Sequence, residues 1–80
     1  MTPTGFRTAC AAIAVDDKPL VDAELAIVFG LSDARAIRRH KSGESAVRGP
    51  MLQILASVKE HGLLPETEMT IRDRRKRLPR

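Results

Sequence analysis

Apolar residues recur along this chain at helical spacing in four successive stretches. Phe6, Ala9, Cys10, Ile13 and Ala14 form an i, i+3, i+4, i+7, i+8 stripe between Phe6 and Val15, which predicts a first amphipathic helix. Asp16-Asp17-Lys18-Pro19 should end it as a turn, because proline cannot continue a helix interior and disfavours helical geometry in the residue before it. A second helix is expected from about Leu20 to Phe29, with Val21, Leu25, Val28 and Phe29 on one face. Asp22 and Glu24 lie near its positive N-terminal end, and Gly30 should stop it in a left-handed conformation. Ser32 is the expected N-cap of a short third helix, in which Asp33 complements the dipole, basic residues crowd the second half and Gly43 ends the run. Residues 43–50 read as a loop. Pro50 then suits the first turn of a fourth helix reaching about His61, with Met51, Leu52, Ile54, Leu55 and Val58 as its buried stripe and Gly62 as its stop.

Beyond Pro65 the pattern changes. Thr67, Met69 and Ile71 alternate with Glu68, Thr70 and Arg72, a brief period-2 signal, and a basic run from Arg72 to Arg80 follows. The expectation is therefore an all-α bundle of four to five helices over residues 1–64. Residues 65–80 would be a basic tail, either disordered or forming an edge strand that pairs across a twofold axis.

Composition narrows this picture. The chain has 80 residues, 42% apolar and 30% charged, which fits one small globular domain. Phe6 and Phe29 are its aromatic residues, so the core must be mainly aliphatic. Cys10 has no partner for an internal disulfide, and with His40 and His61 it lacks the spacing of a zinc site. No cofactor or metal is expected, and Asp16-Asp17 lacks the glycine and spaced oxygens of a calcium loop. No apolar run approaches the roughly 18 residues of a membrane span. Together with an N-terminus unlike a signal peptide, this leads to the expectation of a cytoplasmic protein with no membrane partner.

Charge is distributed unevenly around the net +4. Residues 1–34 carry Arg7 and Lys18 against Asp16, Asp17, Asp22, Glu24 and Asp33, a net −3. Residues 35–61 carry Arg35, Arg38, Arg39, Lys41, Arg48 and Lys59 against Glu44 and Glu60, a net +4, and residues 62–80 add +3. A positive field concentrated in this way suits a polyanionic partner. The third helix has few apolar side chains, with Ala34, Ile37 and His40 able to face inward, so Arg35, Arg38 and Arg39 must face water or a ligand.

The order Leu25-Ala26, Gly30-Leu31-Ser32, then a short basic helix has the form of a helix-turn-helix. Small Ala26 lets two helices approach, Gly30 reverses the chain, and Leu25, Phe29, Leu31 and Ile37 fill the space between them. Glu24-Leu25-Ala26, Gly30-Leu31-Ser32, Ile37, Ser42-Gly43-Glu44 and Val47-Arg48-Gly49-Pro50-Met51 together resemble the Xre/Cro family of phage and bacterial repressor-like domains, over roughly Phe6 to Leu64. The resemblance implies a lambda repressor-like fold that binds operator DNA as a dimer and regulates transcription. The chain departs from that pattern in having one extra residue between Gly30 and Ile37. It also has His40 where many relatives carry Trp, and Val21-Asp22-Ala23 lacks a polar amide.

The candidate DNA-binding residues are Ser32, Asp33, Ala34, Arg35, Arg38, Arg39, Lys41 and Arg48. Arg35, near the helix start, is the best placed to read bases and Arg38 is second. Arg39, Lys41 and Arg48 are expected at phosphates. His40 is expected to pack, and Cys10 to behave as a small hydrophobe. No nucleophile has a neighbouring base in the sequence, so an enzyme is not expected. The leading expectation is a homodimeric, sequence-specific regulator, most simply a repressor, on an inverted-repeat operator in double-stranded DNA. The rivals are an architectural or excision factor that coats DNA, and an antitoxin or antiactivator module that binds a protein partner.

Overall fold

A computed structural model of the protein describes residues 1–78, so the last two residues of the expected tail lie outside it. It contains five α-helices and one small hairpin, in the order α1 (Pro3–Ala11), β1 (Ala14–Val15), β2 (Lys18–Pro19), α2 (Asp22–Phe29), α3 (Ala34–Ser42), α4 (Gly49–His61) and α5 (Pro65–Arg77). Among the described residues no helix is long and apolar enough to cross a membrane.

The stripe expected to run on to Ala14 is divided between two kinds of structure. Helix α1 stops at Ala11, and Ile13 and Val15 enter the core from the hairpin instead. Ala14 pairs with Pro19 and Val15 with Lys18 in antiparallel register. Asp16 and Asp17, at φ 53° and 64°, form the two-residue tip, where consecutive left-handed residues match the twist of the strands. The expected turn is present, but as a hairpin rather than a simple helix break.

Phe6, Cys10, Leu25, Phe29 and Ile37 form the centre of the core, which Met51 and Leu55 extend from α4. The rings of Phe6 and Phe29 lie 5.8 Å apart at 41°, and the imidazole of His40 meets Phe6 edge-on at 5.9 Å. The two aromatic residues thus sit together where α1, α2 and α3 meet.

Residues 65–77 are neither a strand nor a disordered tail. They form α5, which packs against α2 and β1 and buries Ile71 completely. Pro65 suits the first turn, Glu66 and Glu68 lie at the positive end of the dipole, and Arg74, Arg75, Lys76 and Arg77 lie at the negative end. The period-2 reading failed because the inward side of this helix is mostly polar. Thr67, Ile71 and Arg75 lie four residues apart, so one apolar side chain and two polar ones make the stripe. Residues 65–77 therefore belong to the same packed body as the helices before them.

Arg75 closes that body. Its Nε and Nη2 donate to the two carboxylate oxygens of Glu24 at 2.8 and 3.1 Å, while Nη1 donates to the Val15 carbonyl at 2.7 Å. Glu24 also accepts the Val21 N–H at 3.0 Å, covering the N-terminus of α2. Its side chain is 3% exposed. Burial by itself would push this carboxyl up, but the Arg75 and Val21 hydrogen bonds and the Arg75 charge outweigh it and hold the group below the usual carboxylate range. Arg72 makes a second, exposed fastening, donating to Asp16 through Nε at 3.0 Å and Nη2 at 3.1 Å; this holds the Asp16 carboxyl low as well.

The Glu24–Arg75 pair makes the fold sensitive to acid. A carboxyl with a depressed folded-state value contributes stability above its unfolded value of about 4.3. That contribution is lost as pH falls through the lower folded value. Arg75→Met should cost about 3–5 kcal/mol, because it leaves a buried carboxylate without its counter-charge. In thermal melts from pH 7 downward, Glu24→Gln should start lower and fall less steeply below about pH 4 than the native protein. Parallel acid limbs for the two proteins would show that Glu24 does not carry this dependence.

Candidate nucleic-acid interface

Helix α3 is held against the core by one strongly apolar side chain. Ile37 is fully buried, Ala34 and His40 are half-buried on the same side, and the rest of the helix surface carries Arg35, Arg38, Arg39 and Ser42. These four occupy i, i+3, i+4 and i+7, so they project together from the side opposite Ile37. Three guanidinium groups therefore share one exposed face.

The turn before α3 positions this face. Gly30 ends α2 at φ 68°, and the Leu31 N–H returns to the Ala26 carbonyl at 2.9 Å. The N-cap is Asp33 rather than Ser32. The Asp33 carboxylate accepts the Arg35 N–H at 2.8 Å, and the helix begins at Ala34. Ser32 stays exposed in the turn.

Individual partners of these side chains are weak or missing. Arg35 lies 3.9 Å from Asp33 with its side chain 75% exposed, and Arg39 lies 4.0 Å from Glu44 with its side chain 59% exposed. Pairs at these distances and exposures contribute little and exchange readily for another anion. Arg38 is exposed and forms no ion pair among the described residues. Arg48, also exposed, precedes α4 and rims a hollow of about 570 Å³ between the end of α3 and the start of α4.

Lys41 differs from the others. It turns inward, and its ammonium meets the Asp22 carboxylate at the start of α2, both side chains being largely covered. His40 is likewise fixed, its Nδ1 donating to the Ser45 carbonyl at 3.1 Å while its ring edge packs on Phe6. Cys10 is buried, and desolvation pushes its thiol up to about 11, which leaves it protonated near neutrality.

No family model, curated protein or solved structure matches this chain. An apolar groove of about 810 Å³ lies between α1 and α4, lined by side chains such as Ala9, Ile13, Leu52 and Val58, and it shares no residue with the cationic face. Among the described residues, no group of three or more His, Cys, Asp or Glu side chains could hold a metal ion. The cations of α3 share its exposed face, away from the apolar groove.

Arg72 and Arg75, which the sequence reading places in a basic tail, are the pairing residues that this reading misses. Their available signal was the acid-then-base order within α5, which marks a helix and so places Arg75 one turn beyond Ile71.

Gly30 ends α2 and Gly43 ends α3, and the two should respond differently to substitution. An added Cβ at Gly30 meets nothing within 4 Å, so Gly30→Ala should cost about 1 kcal/mol from its left-handed backbone alone. At Gly43, φ is 86° and an added Cβ would lie 2.9 Å from Pro3 Cγ, so Gly43→Ala must also displace the start of α1. Urea denaturation should rank Gly43→Ala as the more destabilised; equal losses would mean that Pro3 yields freely.

Proposed function

We propose that this protein binds double-stranded DNA through a helix-turn-helix made of α2 and α3, with α3 entering the major groove. The observation that carries this reading is the shared exposed face of Arg35, Arg38 and Arg39 on a helix anchored by Ile37. A helix about 10–12 Å across matches a major groove about 12 Å wide. Guanidinium groups supply the bidentate donors that guanine O6 and N7 accept. Arg35, in the first turn of α3, is assigned to base edges with Arg38 beside it, while Arg39 and Arg48 take phosphates. Ser32, exposed in the turn, and Asp33, the cap, stand at the leading end of the helix nearest the duplex, whereas Ala34, expected among the contacts, faces the core beside Ile37 and is not assigned to DNA.

We further propose that two copies act together on an inverted repeat, with their α3 helices about 34 Å apart, one turn of DNA. Regulation of transcription, most simply repression, is the role that such a compact binding module supports. The architectural rival relied on a free basic tail bridging neighbouring copies. It draws less support, because Arg72 and Arg75 are engaged with Asp16, Glu68 and Glu24 of their own chain.

Selection of bound fragments from random duplex DNA tests this reading, and a palindromic consensus is the expected outcome. On the selected site, Arg35→Ala should cost about 1–3 kcal/mol and relax preference at one position per half-site. Arg48→Ala should weaken all sequences alike and make the log-log salt dependence shallower by about 0.9. A protein whose duplex affinity is absent, or independent of salt, would not be a DNA-binding module.

A further inference from the structure

Helices α2 and α3 are joined at one pair of ends by the turn through residues 30–33, and their other ends are also tied. Asp22 is the first residue of α2 and Lys41 the next-to-last of α3, and their ion pair spans the open side of the angle between the helices. The two helices have 8 and 9 residues, roughly 12 and 14 Å at 1.5 Å per residue. With a turn at one end and a charge-assisted bond at the other, they form a braced triangle. A third element reinforces the brace: Arg7 of α1 donates Nη1 to the Lys41 carbonyl and Nη2 to Thr4 Oγ1 at 3.1 Å.

The pair differs from the exposed contacts of Arg35 and Arg39. Its side chains are 29% and 25% exposed, so water and salt compete less with it, and an incoming phosphate would first have to break it. We propose that Lys41 is a positioning residue: with Asp22 and Arg7 it fixes the angle of α3 to α2, and hence the direction in which Arg35, Arg38 and Arg39 point. It does not itself touch the nucleic acid. The consequence for binding rests on the DNA-binding reading above, whereas the brace itself does not.

Two measurements on the 80-residue chain test the proposal. The first needs no DNA: residual dipolar couplings give the α2–α3 angle in the native protein, in Lys41→Met, and in the exchanged pair Asp22→Lys with Lys41→Asp. Lys41→Met keeps most of the aliphatic stem, and thermal melting checks that each variant is folded. The angle should change in Lys41→Met and return in the exchanged pair, since either polarity of the pair closes the triangle. The second measures affinity for the selected duplex as a function of salt. Lys41→Met and Asp22→Asn should each weaken binding about tenfold with an unchanged salt slope, as expected for coupled residues acting through one geometry, and the exchanged pair should recover most of the loss.

An unchanged angle in folded Lys41→Met would overturn the proposal. So would a salt slope shallower by about 0.9, which marks a lost phosphate contact, or an exchanged pair no better than Lys41→Met. If the native protein binds no duplex at all, the functional reading falls, and the dipolar couplings still decide whether Lys41 braces α3.

Discussion

Burial of an acidic side chain is costly, and Glu24, 2% exposed, is the buried charged residue around which the described part of this fold is arranged. Its two oxygens are occupied by Arg75 and by the Val21 N–H, and Arg75 continues to the hairpin carbonyl of Val15. One guanidinium group thereby joins α5, α2 and β1. This explains how a helix with Ile71 as its sole fully buried side chain can stay docked. The apolar contact holds α5 near, and the bidentate ion pair fixes its register. Hydrophobic burial has no direction, whereas five N–H donors in a planar fork accept few arrangements.

Helix α2 carries two such fastenings, on opposite sides. Asp22 and Glu24 are two residues apart, about 200° around the helix, so one faces Lys41 on α3 and the other Arg75 on α5. The same short helix is gripped from both flanks by acid–base pairs, while Leu25, Ala26 and Phe29 fill the core between them. The acidic segment of residues 1–34 therefore has a structural use. It supplies the counter-charges that hold the basic later segments in place, and the net −3 of residues 1–34 complements the helices packed on it.

Much of this was legible in the sequence where a single local signal sufficed. Helices α2, α3 and α4 follow from apolar spacing and from Gly30, Gly43 and Gly62, each of which adopts positive φ. The hairpin was hidden because its strands are two residues long, too short for alternation to register, and because Asp16 and Asp17 hold positions where glycine or asparagine is the usual sign. Helix α5 was hidden because its inward stripe contains threonine and arginine. The cap of α3 is Asp33 rather than its neighbour Ser32; both residue types cap helices well, so the sequence alone does not choose between them. The exposed arginines of α3 could be read from the helix period alone. The inward turn of Lys41 could not, since its partner lies 19 residues away and on another helix.

Among the described residues, these contacts separate six of the cationic side chains by environment. Lys41 and Arg75 are partly desolvated and paired at short range, whereas Arg35, Arg38, Arg39 and Arg48 stand in water with distant partners or none among the described residues. Screening acts unequally on the two groups. At physiological ionic strength the Debye length is about 8 Å, so added salt weakens attraction between the exposed face and an anionic ligand well before it loosens the pairs inside the fold. Added salt therefore acts on the exposed arginine face of α3, and on the exposed Arg72–Asp16 fastening, before it acts on the Lys41–Asp22 and Arg75–Glu24 pairs. The side chains that pair inside the fold, Lys41 and Arg75, and those that stand exposed on α3 are different members of the same basic set.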